Sequence, residues 1–166
     1  GKRFDLAPGK GLFRAEAIDA KFVDGMKWLI VDAIITPAEQ DGTVMEFGKY
    51  RLSQKGGEFR VNIRSGEGER SIRFGKPVAG NPVYLRLQLD PEGMEAVING
   101  KREDIWASPL DIRSNWQGAG IIFGGGWGGR LEKVAFYGST SGEVNTPQLA
   151  GLYGMKADLD EGRLKI

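Results

Sequence analysis

Pro82-Val83-Tyr84-Leu85-Arg86-Leu87-Gln88-Leu89-Asp90 sets an apolar side chain at every second position, and Pro91-Glu92-Gly93 interrupts the run before Met94 to Ile98 resumes it. A period of two sends Val83, Leu85, Leu87 and Leu89 to one face of an extended strand and Tyr84, Arg86, Gln88 and Asp90 to the other. Asn99-Gly100 follows, the dipeptide that best tolerates positive φ at both centres of a type I′ turn, so Lys101 opens a further antiparallel strand. Successive hairpins are therefore specified by local chemistry alone.

The same reading extends in both directions. Leu12 to Ala17 alternates, and Lys27 to Thr36 is rich in β-branched residues and stops at Pro37, which a central strand cannot accommodate. Thr43 to Phe47, Tyr50 to Ser53 and Glu58 to Ile63 are divided by Gly48 and by Gly56-Gly57, which predicts a meander. Within it Phe59, Val61 and Ile63 oppose Arg60, Asn62 and Arg64, and Ser71 to Phe74 sorts in the same way. Downstream, Gly120 to Phe123 and Leu131 to Tyr137 read as a strand pair around the connector Gly124-Gly125-Gly126-Trp127-Gly128-Gly129.

About ten to twelve short strands at this spacing predict an all-β fold, an antiparallel jelly-roll β-sandwich of two sheets. Residues 1–140 form the sandwich and residues 141–166 a C-terminal extension packed on it or trailing from it. In that extension Leu149 to Tyr153 reads as one helical turn, and Asp158, Asp160 and Glu161 as a solvated tail.

Composition narrows the function. The 166 residues suit one domain with its own core, and 26 glycines and 7 prolines suit many tight turns. With 23 Lys and Arg against 22 Asp and Glu, the broad positive field of a nucleic-acid binder is missing. No apolar run approaches the roughly 20 residues of a membrane-spanning helix, so no membrane insertion is expected. Histidine and cysteine are absent, which removes thiol nucleophiles, imidazole bases and nearly all zinc, copper and haem ligand sets. The start at Gly1 fits a processed chain or an excised domain.

Tyr84-Leu-Arg-Leu-Gln-Leu-Asp90, Ala96-Val-Ile-Asn99-Gly100-Lys101, Gly120-Ile-Ile-Phe-Gly124 and Gly129-Arg-Leu-Glu-Lys-Val-Ala-Phe-Tyr137 follow one another in an order that resembles the C-terminal half of laminin G-like domains. Leu29 to Pro37 and Gly42-Thr-Val-Met-Glu-Phe47 are similar to the early strands of that family, which belongs to the concanavalin A-like lectin and glucanase superfamily. The likeness covers roughly residues 10 to 140. In the closing strand the family's Asp-Glu is replaced by Glu132-Lys133, so no role passes to the first acid. The resemblance implies a jelly roll, an extracytoplasmic location and a rim where relatives often hold calcium. No cofactor is required; for calcium the conceivable carboxylates are Asp19, Asp24, Asp32 and Glu132, none in EF-hand spacing, so the metal ligands stay unassigned.

Glycosidases of the superfamily carry glutamates at alternate positions of one strand, and its lyases usually use a histidine with a tyrosine. Neither set is present, so no catalytic residue is assigned. Sugars are read by aromatic faces with polar groups at the rim. Trp106, Trp116 and Trp127 fall in predicted loops, with Asp111, Arg113 and Asn115 as a hydrogen-bonding rim; the plainer alternative is that these indoles pack beneath their loops. A second candidate is one polar sheet face carrying Arg60, Asn62, Arg64, Arg73, Tyr84, Arg86 and Gln88, whose arginine forks match carboxylate or sulfate. Its plain alternative is a solvated face paired to Glu58, Glu67 and Glu69. The expectation is a non-catalytic recognition module for carbohydrate, including acidic polysaccharide, or for a protein partner. A glycoside hydrolase with acids distant in sequence and a structural spacer are the alternatives.

Overall fold

The computed structural model describes residues 5–7, 12–15, 28–65, 68–90, 93–106, 121–124, 126–139, 148–158 and 163–165. They form two seven-stranded sheets. The first runs, edge to edge, β1 (Asp5–Ala7), β2 (Leu12–Ala15), β11 (Ile121–Phe123), β4 (Gly42–Phe47), β5 (Tyr50–Lys55), β6 (Glu58–Ser65) and β7 (Gly68–Phe74). The second runs β10 (Lys101–Trp106), β9 (Gly93–Ile98), β8 (Val83–Asp90), β3 (Trp28–Thr36), β12 (Arg130–Ser139), β13 (Gln148–Asp158) and β14 (Arg163–Lys165). Every pairing is antiparallel. No helix of the described residues is long and apolar enough to cross a membrane.

The alternation read from the sequence decides which side chains meet between the sheets. Leu85, Leu87 and Leu89 of β8, Val31, Ala33 and Ile35 of β3, and Val134 and Phe136 of β12 share one buried core with Phe47, Leu52, Phe59, Val61 and Ile63 of the first sheet. Phe47 and Phe136 meet edge to face across the gap, their ring centroids 5.7 Å apart. The turns follow their glycines: Asn99 and Gly100 take φ of 51° and 82°, as a type I′ turn requires. Asn99 Oδ1 accepts the Tyr84 amide at 3.0 Å, fixing the β9–β10 turn against the start of β8.

Two sequence expectations are overturned. Leu149 to Tyr153 is not a helical turn but part of β13, which pairs with β12 along its length and carries β14 at the sheet edge. β12 lies between β3 and β13, so β13 and β14, within residues 141–166, add two strands to the second sheet. The stretch after Phe123, expected to join two paired strands, instead joins β11 of the first sheet to β12 of the second. A connector that changes sheet must cross the end of the sandwich, and this determines the fate of Trp127.

Candidate functional site

Trp127, expected as an exposed platform, is 1% exposed and belongs to the core. Its indole N–H donates to Gln54 Oε1 at 2.9 Å. The Gln54 amide nitrogen donates to Ala38 O at 2.6 Å, and the Ala38 N–H donates back to Gln54 Oε1 at 3.0 Å. The ring fits because Gly42 and Gly129 lack a Cβ; one at either position would collide with Trp127. Gly129, one of the glycines of the connector, is thus part of the clearance that lets the ring be buried. Gln54, the one buried polar residue among those described, was not legible as its partner, because it occupies an inward position of β5 that the period of two reserves for apolar side chains.

The other two tryptophans of the expected rim fall at or beyond the limits of the described residues. Trp106 ends β10 opposite Met94, and its side chain lies outside the described residues. Trp116, Asp111, Arg113 and Asn115 lie outside them too, as do Asp19 and Asp24. The connector does border a cleft of about 650 Å³ at the sandwich end, where Thr36, Gln40, Gly80, Gly128 and Arg130 line it. The indole points away from that cleft, into the core.

The expected single arginine face is in fact divided. Arg60, Asn62, Arg64 and Arg73 project from β6 and β7 of the first sheet, whereas Tyr84, Arg86 and Gln88 project from β8 of the second. Outward side chains of two packed sheets lie on opposite sides of the sandwich, so Arg86 cannot join Arg60 and Arg64 around one ligand. Alternation tells which residues share a face of one strand but not which strands share a sheet.

On the first sheet, register places Arg60 directly opposite Arg73, with Ser53 on the other flank, and aligns Glu46, Arg51, Asn62 and Ser71 in the next row. Arg51 Nε donates to Glu46 Oε1 at 2.8 Å. Arg60 approaches Glu58 only at 3.7 Å. Arg64 and Arg73 are exposed and make no side-chain ion pair among the described residues. Arg60 Nε and Asn62 Oδ1 are buried without a hydrogen-bond partner. Beside them Glu46, Lys49, Arg51, Asn62, Arg64 and Glu69 line a cleft of about 150 Å³.

The second outer face is better paired. Arg86 donates from Nε and Nη2 to the two Asp32 oxygens at 2.7 and 2.8 Å. Asp32, one of the conceivable calcium ligands, thus has both oxygens engaged, and the hydrogen bonds to it raise the Arg86 pKa further. Burial, followed by the hydrogen bond to Asp32, raises the Tyr84 phenol above 10.0. Among the described residues no cluster of carboxylates could hold a metal ion.

Comparison with solved structures finds the same architecture in lectins and receptor-binding domains. Sheep galectin-11 in complex with glycerol matches at 15% identity and a TM-score of 0.51, over 78% of this chain and 98% of that one. A human galectin-16 variant matches at 14% identity and a TM-score of 0.50, over 67% of this chain and 88% of that one. The receptor-binding domain of botulinum neurotoxin D matches at 8% identity and a TM-score of 0.52, and the 76% of this chain that aligns covers only 40% of that domain. The fold is a jelly-roll β-sandwich. At these identities the likeness establishes the sandwich alone. No protein-family model matches the sequence, and no curated protein sequence matches it.

Proposed function

We propose that this sandwich is a non-catalytic recognition module that binds an acidic glycan on the outer face of β5, β6 and β7. The observation that carries the reading is the direct apposition of Arg60 and Arg73, cross-strand partners of like charge. Such a pair weakens a sheet. A carboxylate or sulfate set between the two forks turns that repulsion into paired charge-assisted hydrogen bonds. Arg64 lies four residues along β6 from Arg60, about 13 Å at strand rise, which suits an anionic oligosaccharide better than a single ion.

A binding role is further supported by how the carboxylates are used: Asp32, Glu46 and Glu95 each hold an arginine, and Asp41 accepts the Gly56 amide. The ordered motifs from Tyr84 to Tyr137 support the laminin G-like branch as the finer family reading and, with it, an extracytoplasmic location. Calorimetric titration with heparin-derived and polyuronate oligosaccharides, set against a neutral glucan, tests the function. Saturable binding of the anionic probes that weakens with salt and is lost in Arg60→Ala/Arg73→Ala is expected. No binding of either anionic probe, or binding indifferent to the double substitution, overturns it.

A further inference from the structure

Among the described residues, the edge strands of the two sheets differ in how well they are guarded. β1 and β14 are three residues long, and the ladder of β10 is interrupted by a register shift between Arg102 and Asp104. Short strands and bulges are devices that keep an edge from pairing with another chain. β7 has neither. Its seven residues, Gly-Glu-Arg-Ser-Ile-Arg-Phe, pair with β6 without a register shift and include no proline or lysine. Gly68 to Ser71 and Arg73 are exposed, while Ile72 and Phe74 anchor the strand in the core. Ser65 and Gly68 pair across only two intervening residues, so they exchange both hydrogen bonds, and the alternation of an antiparallel ladder turns the main-chain groups of Arg70, Ile72 and Phe74 toward β6 as well. Those of Glu69, Ser71 and Arg73 point to the open edge, and the same three side chains stand on the outer face.

We propose that β7 is the docking edge for a second copy of this chain, the two β7 strands pairing antiparallel about a two-fold axis at Ser71. Ser71 is the midpoint of the strand, so this register uses its whole length, with Gly68 opposite the partner's Phe74. It sets Glu69 opposite the partner's Arg73 and, by the symmetry of an isologous contact, Arg73 opposite the partner's Glu69. Both are hydrogen-bonded pairs, with Cα atoms about 5.5 Å apart, and opposite charges so placed stabilise a sheet. Neither Glu69 nor Arg73 has an ion-pair partner among the described residues. Within one copy Arg60 lies beside Arg73 and Arg64 beside Glu69, so a row across the joint reads Arg60, Arg73, the partner's Glu69, the partner's Arg64, and each glutamate stands between arginines. Moving the axis to Arg70 or Ile72 sets Glu69 or Arg73 opposite the partner's Ser71 and makes neither ion pair. In the alternate rows Arg70 meets the partner's Ile72, along which its aliphatic stem lies while the guanidinium stays in water. The charge order of β7 is its own complement when reversed, which is why the occupant is a second copy.

This inference does not rest on the acidic-glycan reading. A guanidinium has more N–H donors than one carboxylate occupies, so Arg73 can hold the partner's Glu69 and still serve an anion set beside Arg60. Sedimentation equilibrium of the whole chain at low salt, between about 1 μM and about 1 mM, tests it. A monomer–dimer equilibrium is expected. Glu69→Arg and Arg73→Glu each set like charges opposite one another in both outer rows, and each should weaken self-association at least about tenfold. An equimolar mixture of the two variants restores opposite charges in both rows and should dimerise, as should Glu69→Arg/Arg73→Glu by itself. A wild-type chain that stays monomeric throughout, single variants that associate as tightly as wild type, or a mixture of them that stays monomeric overturns the proposal. Loss of heparin binding with the dimer intact would remove the acidic-glycan reading and leave this one standing.

Discussion

At the end of the sandwich, the Trp127 indole, the Gln54 amide and the Ala38 main chain satisfy one another at 2.6 to 3.0 Å inside the core. On the outer face of β6 and β7, Arg60 and Arg73 are set side by side, and Arg60 Nε and Asn62 Oδ1 have no partner. Polar groups closed in upon each other contribute stability and offer a ligand nothing. Polar groups left mismatched cost stability and retain the capacity to bind. By that contrast Trp127 belongs to the architecture, and the arginine pair is where the proposed recognition is to be tested.

Trp127→Ala tests the first half of the contrast most severely. Emptying a buried indole site should cost about 3–5 kcal/mol, measured by denaturant unfolding, while the remaining folded protein keeps its anionic-glycan affinity. A fall in affinity with little loss of stability would reverse the assignment. Gln54→Leu comes next: it strands the indole N–H and both Ala38 groups, and should cost about 1–3 kcal/mol without changing ligand binding.

The second outer face supplies an intermediate case. Arg86 is 42% exposed at its side chain, so Asp32→Ala releases a guanidinium that can turn to water, and the loss should be about 1 kcal/mol or less. Tyr84 sharpens the point through pH. Its phenol is held above 10.0 chiefly by burial, so it should ionise after free tyrosine in an absorbance titration. A raised folded-state value means the neutral form is favoured on folding; that contribution is complete below pH 10 and is lost as pH climbs through the raised value. Ionisation at or below the ordinary value would remove the partly desolvated, Asp32-bonded phenol from the picture.

The smallest effect on stability is the most telling. Arg73→Ala removes a cross-strand repulsion, so the folded state should be unchanged or gain about 0.2–1 kcal/mol, even as anionic-glycan binding falls. A clear loss of stability would mean that Arg73 is structural, and the contrast with Trp127 would collapse.

Local chemistry in the chain determined most strands, their inward and outward residues, and the turn at Asn99-Gly100, because a pleat of period two and the φ tolerance of Asn and Gly act over a few residues. The polar character of Arg60, Arg64 and Arg86 was legible in the same way. Only the tertiary structure decided that β6 and β8 belong to different sheets, that β13 pairs with β12, and that the connector bearing Trp127 changes sheets. Those outcomes depend on which distant strands pair and on glycines 42 and 129 clearing space for one indole, contacts between residues far apart in the chain that no local period encodes.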